Sequence, residues 1–275
     1  LNLSQLIARV SEQLADSGID TPESDARELL CHQFSISKSE LSMRELQNYE
    51  VSPLDSEKIF QLSEKRASRI PLQHLTGWSY FRNLELEVGP GVFVPRPETE
   101  ILVEIALGLE LPDKSSLEVG AGSGAISISI AQESDLNTTA IEISDQAAVW
   151  AKKNISRYGA NVRLIVDDFN NFSSDEQFGL LISNPPYIPA AAIPLDPEVH
   201  LHDPKEALYS GADGLDMIRV LADSKNHLLP GGVLLFEHDE SQRTAIVELL
   251  LEREWNNVRS FRDLNGRDRF IQAVA

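Results

Sequence analysis

The residues that offer the most chemistry close an apolar run: Leu180-Leu181-Ile182-Ser183-Asn184-Pro185-Pro186-Tyr187. Neither proline carries a backbone N–H, each fixes its own φ, and each pushes the preceding residue towards extended conformations. The result is a stiff corner at a strand end. Asn184 offers a side-chain carbonyl there, and Pro185 a backbone carbonyl that no strand neighbour requires. Together they can accept both hydrogens of a planar NH2 group, while Tyr187 supplies a ring face for stacking. Taken alone, the motif equally describes an ordinary proline-rich strand exit. It also does not separate a carboxamide from the amino group of a base.

Three further candidates lie upstream. Gly120-Ala121-Gly122-Ser123-Gly124 places three glycines after the strand-like Leu117-Glu118-Val119. Without Cβ atoms the backbone there can turn tightly and let a ligand approach, although the spacing departs from the dinucleotide pattern. Glu142 follows at the end of the next strand, where a carboxylate can accept from both hydroxyls of a ribose. Asp167-Asp168-Phe169 ends the strand after that, and an acceptor with an aromatic there suits an adenine. Four successive strand exits thus carry a glycine turn, an acid, an acid with an aromatic, and the amide corner. That order fits a nucleoside with a short amino-acid tail better than a dinucleotide, and the cofactor inferred is S-adenosylmethionine.

The elements that must hold these groups follow from periodicity. Strands are predicted at 116–119, 138–141, 163–166, 179–182, 233–237, 257–261 and 269–274, and helices at 125–132, 145–158, 215–229 and 241–252. Such alternation predicts an α/β fold with a doubly wound, mainly parallel sheet, ending in an antiparallel hairpin around Asn265-Gly266. Before it, residues 1–77 read as a helical bundle. Leu3, Leu6, Ile7, Val10 and Leu14 recur at helical spacing, a second helix starts at Thr21-Pro22, and a third near Ser52-Pro53. Residues 78–94 read as a β-hairpin linker with its break at Gly89-Pro90-Gly91, leaving 95–275 as the catalytic domain.

Composition narrows the class. The chain has 275 residues, 42% hydrophobic and 24% charged, as ordinary globular proteins do. A formal net charge of −19 argues against a broad nucleic-acid footprint. The single Cys31 excludes an internal disulfide, and no apolar run reaches membrane-spanning length. A cytoplasmic place, with no membrane and no direct nucleic-acid binding, is the expectation. His200-Leu201-His202-Asp203 reads as a solvated loop rather than a metal site, and no metal is expected. Glu237-His238 ends a strand near the expected cleft, where a structural role and a place in the pocket are both open. Residues 196–214 are long and polar for a connection and suggest a substrate lid.

The chain resembles the HemK/PrmC family, the release-factor glutamine N5-methyltransferases, over nearly its full length. The resemblance rests on Asp25-Ala26-Arg27, Pro71-Leu72-Gln73-His74-Leu75-Thr76-Gly77, the run from Pro90 to Glu100, the glycine turn and Asn184–Tyr187. Pro95-Arg96-Pro97-Glu98-Thr99-Glu100 is the more specific marker, because Asn-Pro-Pro-Tyr also occurs in enzymes that methylate amino groups of DNA and RNA. The resemblance implies a Rossmann-like seven-stranded methyltransferase sheet and a release factor's Gly-Gly-Gln loop as substrate. It implies cofactor roles for Gly120 to Gly124, and amide-binding roles for Asn184, Pro185 and Tyr187, with Pro186 in the same corner. Glu142, Asp168, Phe169 and Asn184 complete the expected cofactor set. Glu118 and Glu142 stand where aspartate is common in the family, and Phe169 where tryptophan is; charge and stacking are kept. Competing readings are glutamine methylation of a ribosomal protein, amino methylation of adenine or guanine in nucleic acid, and a non-catalytic helical adaptor.

Overall fold

The computed structural model describes all 275 residues and divides into two compact units. The first comprises Leu1–Trp78 with Leu195–His202. Its helices are α1 (Leu3–Asp16), α2 (Pro22–Phe34), α3 (Lys38–Leu46), α4 (Pro53–Ala67), α5 (Leu72–Thr76) and, from the distant segment, α9 (Pro197–His202). Asn2 opens α1 with a capping box to Gln5, and Leu3, Leu6, Ile7, Val10 and Leu14 form its buried stripe. That stripe packs with Leu29 and Leu30 of α2 and Ile59 of α4. Helix α3 is absent from the periodicity reading for a physical reason: Leu41 is its one buried residue, so no apolar stripe exists to be read. Ser37 starts it instead by accepting from the Glu40 N–H.

Arg66, 5% exposed, is the electrostatic centre of this unit. It donates to Asp25 Oδ2 at 2.7 Å and pairs with Glu198 of α9 at 2.6 Å. Such a charge is tolerable in a core only with partners of this quality.

The second unit comprises Ser79–Pro194 and Asp203–Ala275. It opens within β1 (Trp78–Phe81), which pairs with β2 (Leu84–Glu87). The predicted break at Gly89–Gly91 is not the hairpin's turn: the chain reverses at Arg82-Asn83, with Arg82 at φ +51°, and 92–94 is not a strand. Gly89 and Gly91 serve close approach, since a Cβ would lie 2.4 Å from the Trp150 ring and 2.3 Å from Gln146 Oε1. Phe81, Leu84, Leu86 and Val88 enter this unit's core.

After α6 (Glu100–Leu107) come β3 (Ser115–Val119), α7 (Ala125–Glu133), β4 (Asn137–Glu142), α8 (Asp145–Tyr158), β5 (Val162–Val166) and β6 (Phe178–Ser183). Then follow α10 (Asp216–Ala222), β7 (Leu228–Glu237), α11 (Arg243–Glu252), β8 (Asn256–Arg262) and β9 (Asp268–Val274). The seven-stranded sheet has the order β5-β4-β3-β6-β7-β9-β8. Strands β5 to β7 are parallel, and β9 runs antiparallel between β7 and β8. Every residue of β6 is buried: Leu180 and Ile182 face one core, with α6 and α7, and Leu181 faces the other, with α10 and α11. Burial on both faces is what turned this strand into a continuous apolar run.

The predicted helix 215–229 is shorter than its apolar content suggests. It ends at Ala222, and Leu228 already pairs with Phe178 of β6; Pro230-Gly231-Gly232 lie inside β7, where the register with β6 shifts. Residues 196–214 are not a bare lid. They contain α9 and a turn at Lys205–Ala207, and Tyr209 bridges to Ile188.

Candidate active site

Sheet order brings the predicted groups together. The exits of β5, β4, β3, β6 and β7 are neighbours along one edge, and the strand order reverses between β3 and β6. Asp168, Glu142, the glycine turn, Asn184 and Glu237 therefore stand side by side at the carboxyl edge, where open α/β sheets bind ligands.

The glycine turn is tied down from several sides. Gly120 and Ala121 donate their N–H groups to the Ile141 carbonyl at 2.9 and 3.0 Å, and the Gly122 N–H reaches Glu142 Oε2 at 2.7 Å. The buried Asn154 of α8 donates to the Ser123 carbonyl at 2.9 Å and also bonds both backbone groups of Glu87. Gly120, Gly122 and Gly124 all have positive φ, so left-handed backbone explains the residue type at each. A Cβ at Gly120 or Gly122 would meet nothing within 4 Å, so this backbone is open to an approaching group. Gly124 instead sits 3.0 Å from the Ile128 side chain by the same measure and is closed by packing.

Glu142 is 6% exposed and also accepts from the Ser144 N–H at 2.8 Å, which leaves further lone pairs on each oxygen. Asp168 Oδ1 accepts from the N–H and side chain of Asn170, both at 2.9 Å. Phe169, 7% exposed, packs against Phe172 and His227 in the core, with centroids 6.2 and 5.4 Å away. Ile143, which periodicity did not single out, is 60% exposed at the β4 exit. An exposed isoleucine directly after a strand-end acid was the available signal. Its open face and that of the glycine backbone, beside an acid with spare lone pairs, suit an adenosyl group with an amino-acid tail.

At the β6 exit, Ser183 donates to the Val119 carbonyl at 2.7 Å and draws the amide corner to the glycine turn. Pro185 is buried, and Asn184, Pro186 and Tyr187 are half-buried. Asn184 Nδ2 donates to Thr99 Oγ1 at 3.1 Å, and no group of the chain donates to Asn184 Oδ1 or to the Pro185 carbonyl. Thr99 in turn donates to Glu237 Oε2 at 2.8 Å, and the Tyr187 hydroxyl donates to Glu237 Oε1 at 3.1 Å. The Arg269 guanidinium lies 5.7 Å from the Tyr187 ring centroid. Burial first, and the charge of Glu237 second, hold the Tyr187 phenol well above its ordinary range, so it stays protonated. Behind the corner, Gln242 donates to the Tyr187 carbonyl at 2.9 Å, and Ile188 and Ala190 bond the 208–211 segment. His238 is fully buried with Nδ1 on the Asp239 carbonyl at 2.7 Å, and burial depresses its pKa.

The sequence reading missed Thr99 as a neighbour of Asn184, because 85 residues separate them. The Pro-Arg-Pro-Glu-Thr-Glu segment was the signal. Pro97 starts a short 3-10 turn, Pro97–Thr99, which buries Thr99.

A family model described as the PrmC N-terminal domain matches residues 5–77, and one described as the methyltransferase small domain matches 85–196. A release factor glutamine methyltransferase of Streptomyces coelicolor is 38% identical over 278 residues, covering 97% of this chain and 96% of the relative. One from Deinococcus radiodurans is 36% identical over 279 residues, covering 99% and 98%. A solved methyltransferase structure from Pyrococcus furiosus shares the fold, with a TM-score of 0.56 at 19% identity over 77% of this chain and 98% of that one. No helix of the chain is long and apolar enough to cross a membrane. With full-length relatives of this identity, the chain belongs to the release factor glutamine methyltransferase family and is an S-adenosylmethionine-dependent methyltransferase.

Proposed function

We propose that the chain methylates the side-chain amide nitrogen (N5) of the glutamine in the Gly-Gly-Gln motif of peptide chain release factors. The observation that carries this reading is the pair of undonated acceptors, Asn184 Oδ1 and the Pro185 carbonyl, on a rigid corner beside the glycine turn. When bound, S-adenosylmethionine supplies a methyl group activated by its sulfonium. Gly120, Ala121, Gly122, Ser123 and Gly124 would hold the cofactor's amino-acid end, Glu142 the ribose, and Asp168, Phe169 and Ile143 the adenine. Asn184 would border both ligands. The helical unit is assigned to contact another face of the release factor, and a cytoplasmic place follows from that partner.

An amide nitrogen is a weak nucleophile, because its lone pair is shared with the carbonyl. Asn184 and Pro185 hold its two hydrogens and so fix the direction of the remaining lone pair. Alignment of this kind lowers barriers by on the order of several kcal/mol. The same two oxygens would stabilise the positive charge that grows on nitrogen as the new N–C bond forms and the S–CH3 bond breaks, its electron pair staying on the sulfur as a neutral thioether. The cationic nitrogen then gives up one of its protons, for which no strong base is needed.

The test is one labelled-cofactor assay offering release factors, ribosomal proteins, DNA and RNA in parallel. Label is expected in the release factor, at the glutamine. Label in nucleic acid or a ribosomal protein alone would overturn the assignment. Asn184→Ala is expected to abolish transfer while calorimetry shows cofactor affinity reduced far less; near-normal turnover would remove Asn184 from the mechanism.

A further inference from the structure

We infer that Thr99 and Glu237 are positioning residues that fix which end of the Asn184 carboxamide faces the substrate, through a hydrogen-bond chain that starts from Glu237 as its acceptor. This rests on the proposed amide-binding role of Asn184 and adds how that role is enforced.

The chain of contacts is short and buried. Asn184 Nδ2 lies 3.1 Å from Thr99 Oγ1, Thr99 Oγ1 lies 2.8 Å from Glu237 Oε2, and Tyr187 Oη lies 3.1 Å from Glu237 Oε1. Thr99 is 4% and Glu237 3% exposed, so water does not compete for either. With Glu237 ionised, the form that Thr99, Arg269 and the Tyr187 hydroxyl favour, the carboxylate only accepts, and both hydroxyls donate to it. Thr99 has a single hydrogen and has then used it. It can serve Asn184 only as an acceptor, which requires the NH2 end of the amide to face Thr99. The carbonyl end must face outwards, where it can accept from a substrate N–H. Turning the amide over would set Oδ1 against Thr99 Oγ1 with no hydrogen between them, a cost that rises in a dry site.

Glu237 sets the polarity of this chain. Burial raises its carboxyl above the ordinary range, while Thr99, Arg269 and the Tyr187 hydroxyl favour the charged form. Each element contributes one member: the turn before α6 gives Thr99, the exit of β6 gives Asn184, and β7 gives Glu237. The two strands are hydrogen-bonded neighbours, with Ser183 opposite Phe236, so the acid is delivered to the corner by register. Tyr187 enters through the same acid, which gives its hydroxyl a role separate from its ring.

The inference is tested with Thr99→Val, which keeps shape and removes the hydroxyl, and Thr99→Ser, which restores the hydroxyl. In the nitrogen-15-labelled full chain with cofactor bound, Asn184→Ala identifies the Asn184 side-chain NH2 resonance. That resonance is expected to exchange slowly in the wild type and in T99S, and quickly in T99V. This readout needs no substrate, so it stands even if the release factor proves not to be methylated, which the wild-type assay reports separately. With the methylated substrate, T99V is expected to lose on the order of ten- to a hundredfold in kcat, with cofactor affinity nearly unchanged and the chain still folded at the assay temperature. T99S is expected to recover most of that loss. A protected Asn184 NH2 in T99V, or a T99V loss that appears only as lost cofactor affinity or lost folding, would overturn the inference.

Discussion

Glu118 is an acid placed where an acid is costly. It is 1% exposed, accepts from the Ser127 N–H at 3.0 Å through Oε2, and leaves Oε1 without a partner. Burial pushes its carboxyl up to about 8, against the pull of Ser127 and with a smaller push from Glu142. Between its ordinary value and about 8, the folded chain keeps a proton that the unfolded chain has lost. This contribution to stability is therefore full at low pH and declines as pH rises through that window. Denaturation of the ligand-free protein is expected to show that decline, on the order of a few kcal/mol between pH 5 and 8. Glu118→Gln should flatten it, and an unchanged slope in that variant would show that other groups set the dependence. The acid was legible in the sequence as a member of the glycine motif; its protonation was not, because that depends on what covers the side chain.

At the scale of elements, the strands were legible and the short helices were not. Strand β6 is buried on both faces and shows an apolar run, Leu180 to Ile182; β4 is buried at every position but its first, and its β-branched Thr138, Thr139 and Ile141 mark it as a strand. Helix α3 buries one residue, and the hairpin reverses at Arg82-Asn83, which carry no strong turn signal. The glycines that suggested a turn are there for the approach of α8. Another glycine supports the amide corner from outside. Gly214 has φ +80°, and a Cβ on it would lie 2.2 Å from the Tyr187 carbonyl and 2.7 Å from Gln242 Nε2. Gly214→Ala must bear left-handed strain of about 1–2 kcal/mol and displace the backbone of Tyr187 as well. Its melting temperature and its turnover are both expected to fall, measured by calorimetry and methyl transfer. Full turnover would mean the corner tolerates movement of Tyr187.

At the scale of the molecule, the chain builds its helical unit from two separate stretches, which a contiguous boundary at residue 77 leaves out of view. Helix α9 is encoded between β6 and β7, yet its Glu198 meets Arg66, which also holds Asp25. The family marker Asp25-Ala26-Arg27 acquires a physical meaning here. Asp25 is a core anion, while Arg27 pairs nearer the surface with Glu23 and Glu45. Arg66→Met leaves the buried Asp25 carboxylate without its cation and Glu198 with only Arg69, 3.7 Å away, and is expected to cost about 3–5 kcal/mol. Hydrogen exchange should show the loss in α2 and α4, with β3 and β6 protected as before. Uniform loss in both units would mean they unfold as one.

The acceptor-only corner bears finally on chemical ageing. A glutamine that has deamidated becomes a glutamate, whose two oxygens bring no hydrogen to Asn184 Oδ1 or the Pro185 carbonyl. Oxygen would face oxygen, one side carrying a full charge, and a site built to receive hydrogens rejects such an analogue strongly. On the proposed substrate, damaged release factors would stay unmarked, and the methyl group would certify an intact side chain as well as a finished one. A Gly-Gly-Glu factor is therefore expected neither to take up label nor to compete with Gly-Gly-Gln through this corner. Competition at equal strength would place recognition of the factor elsewhere.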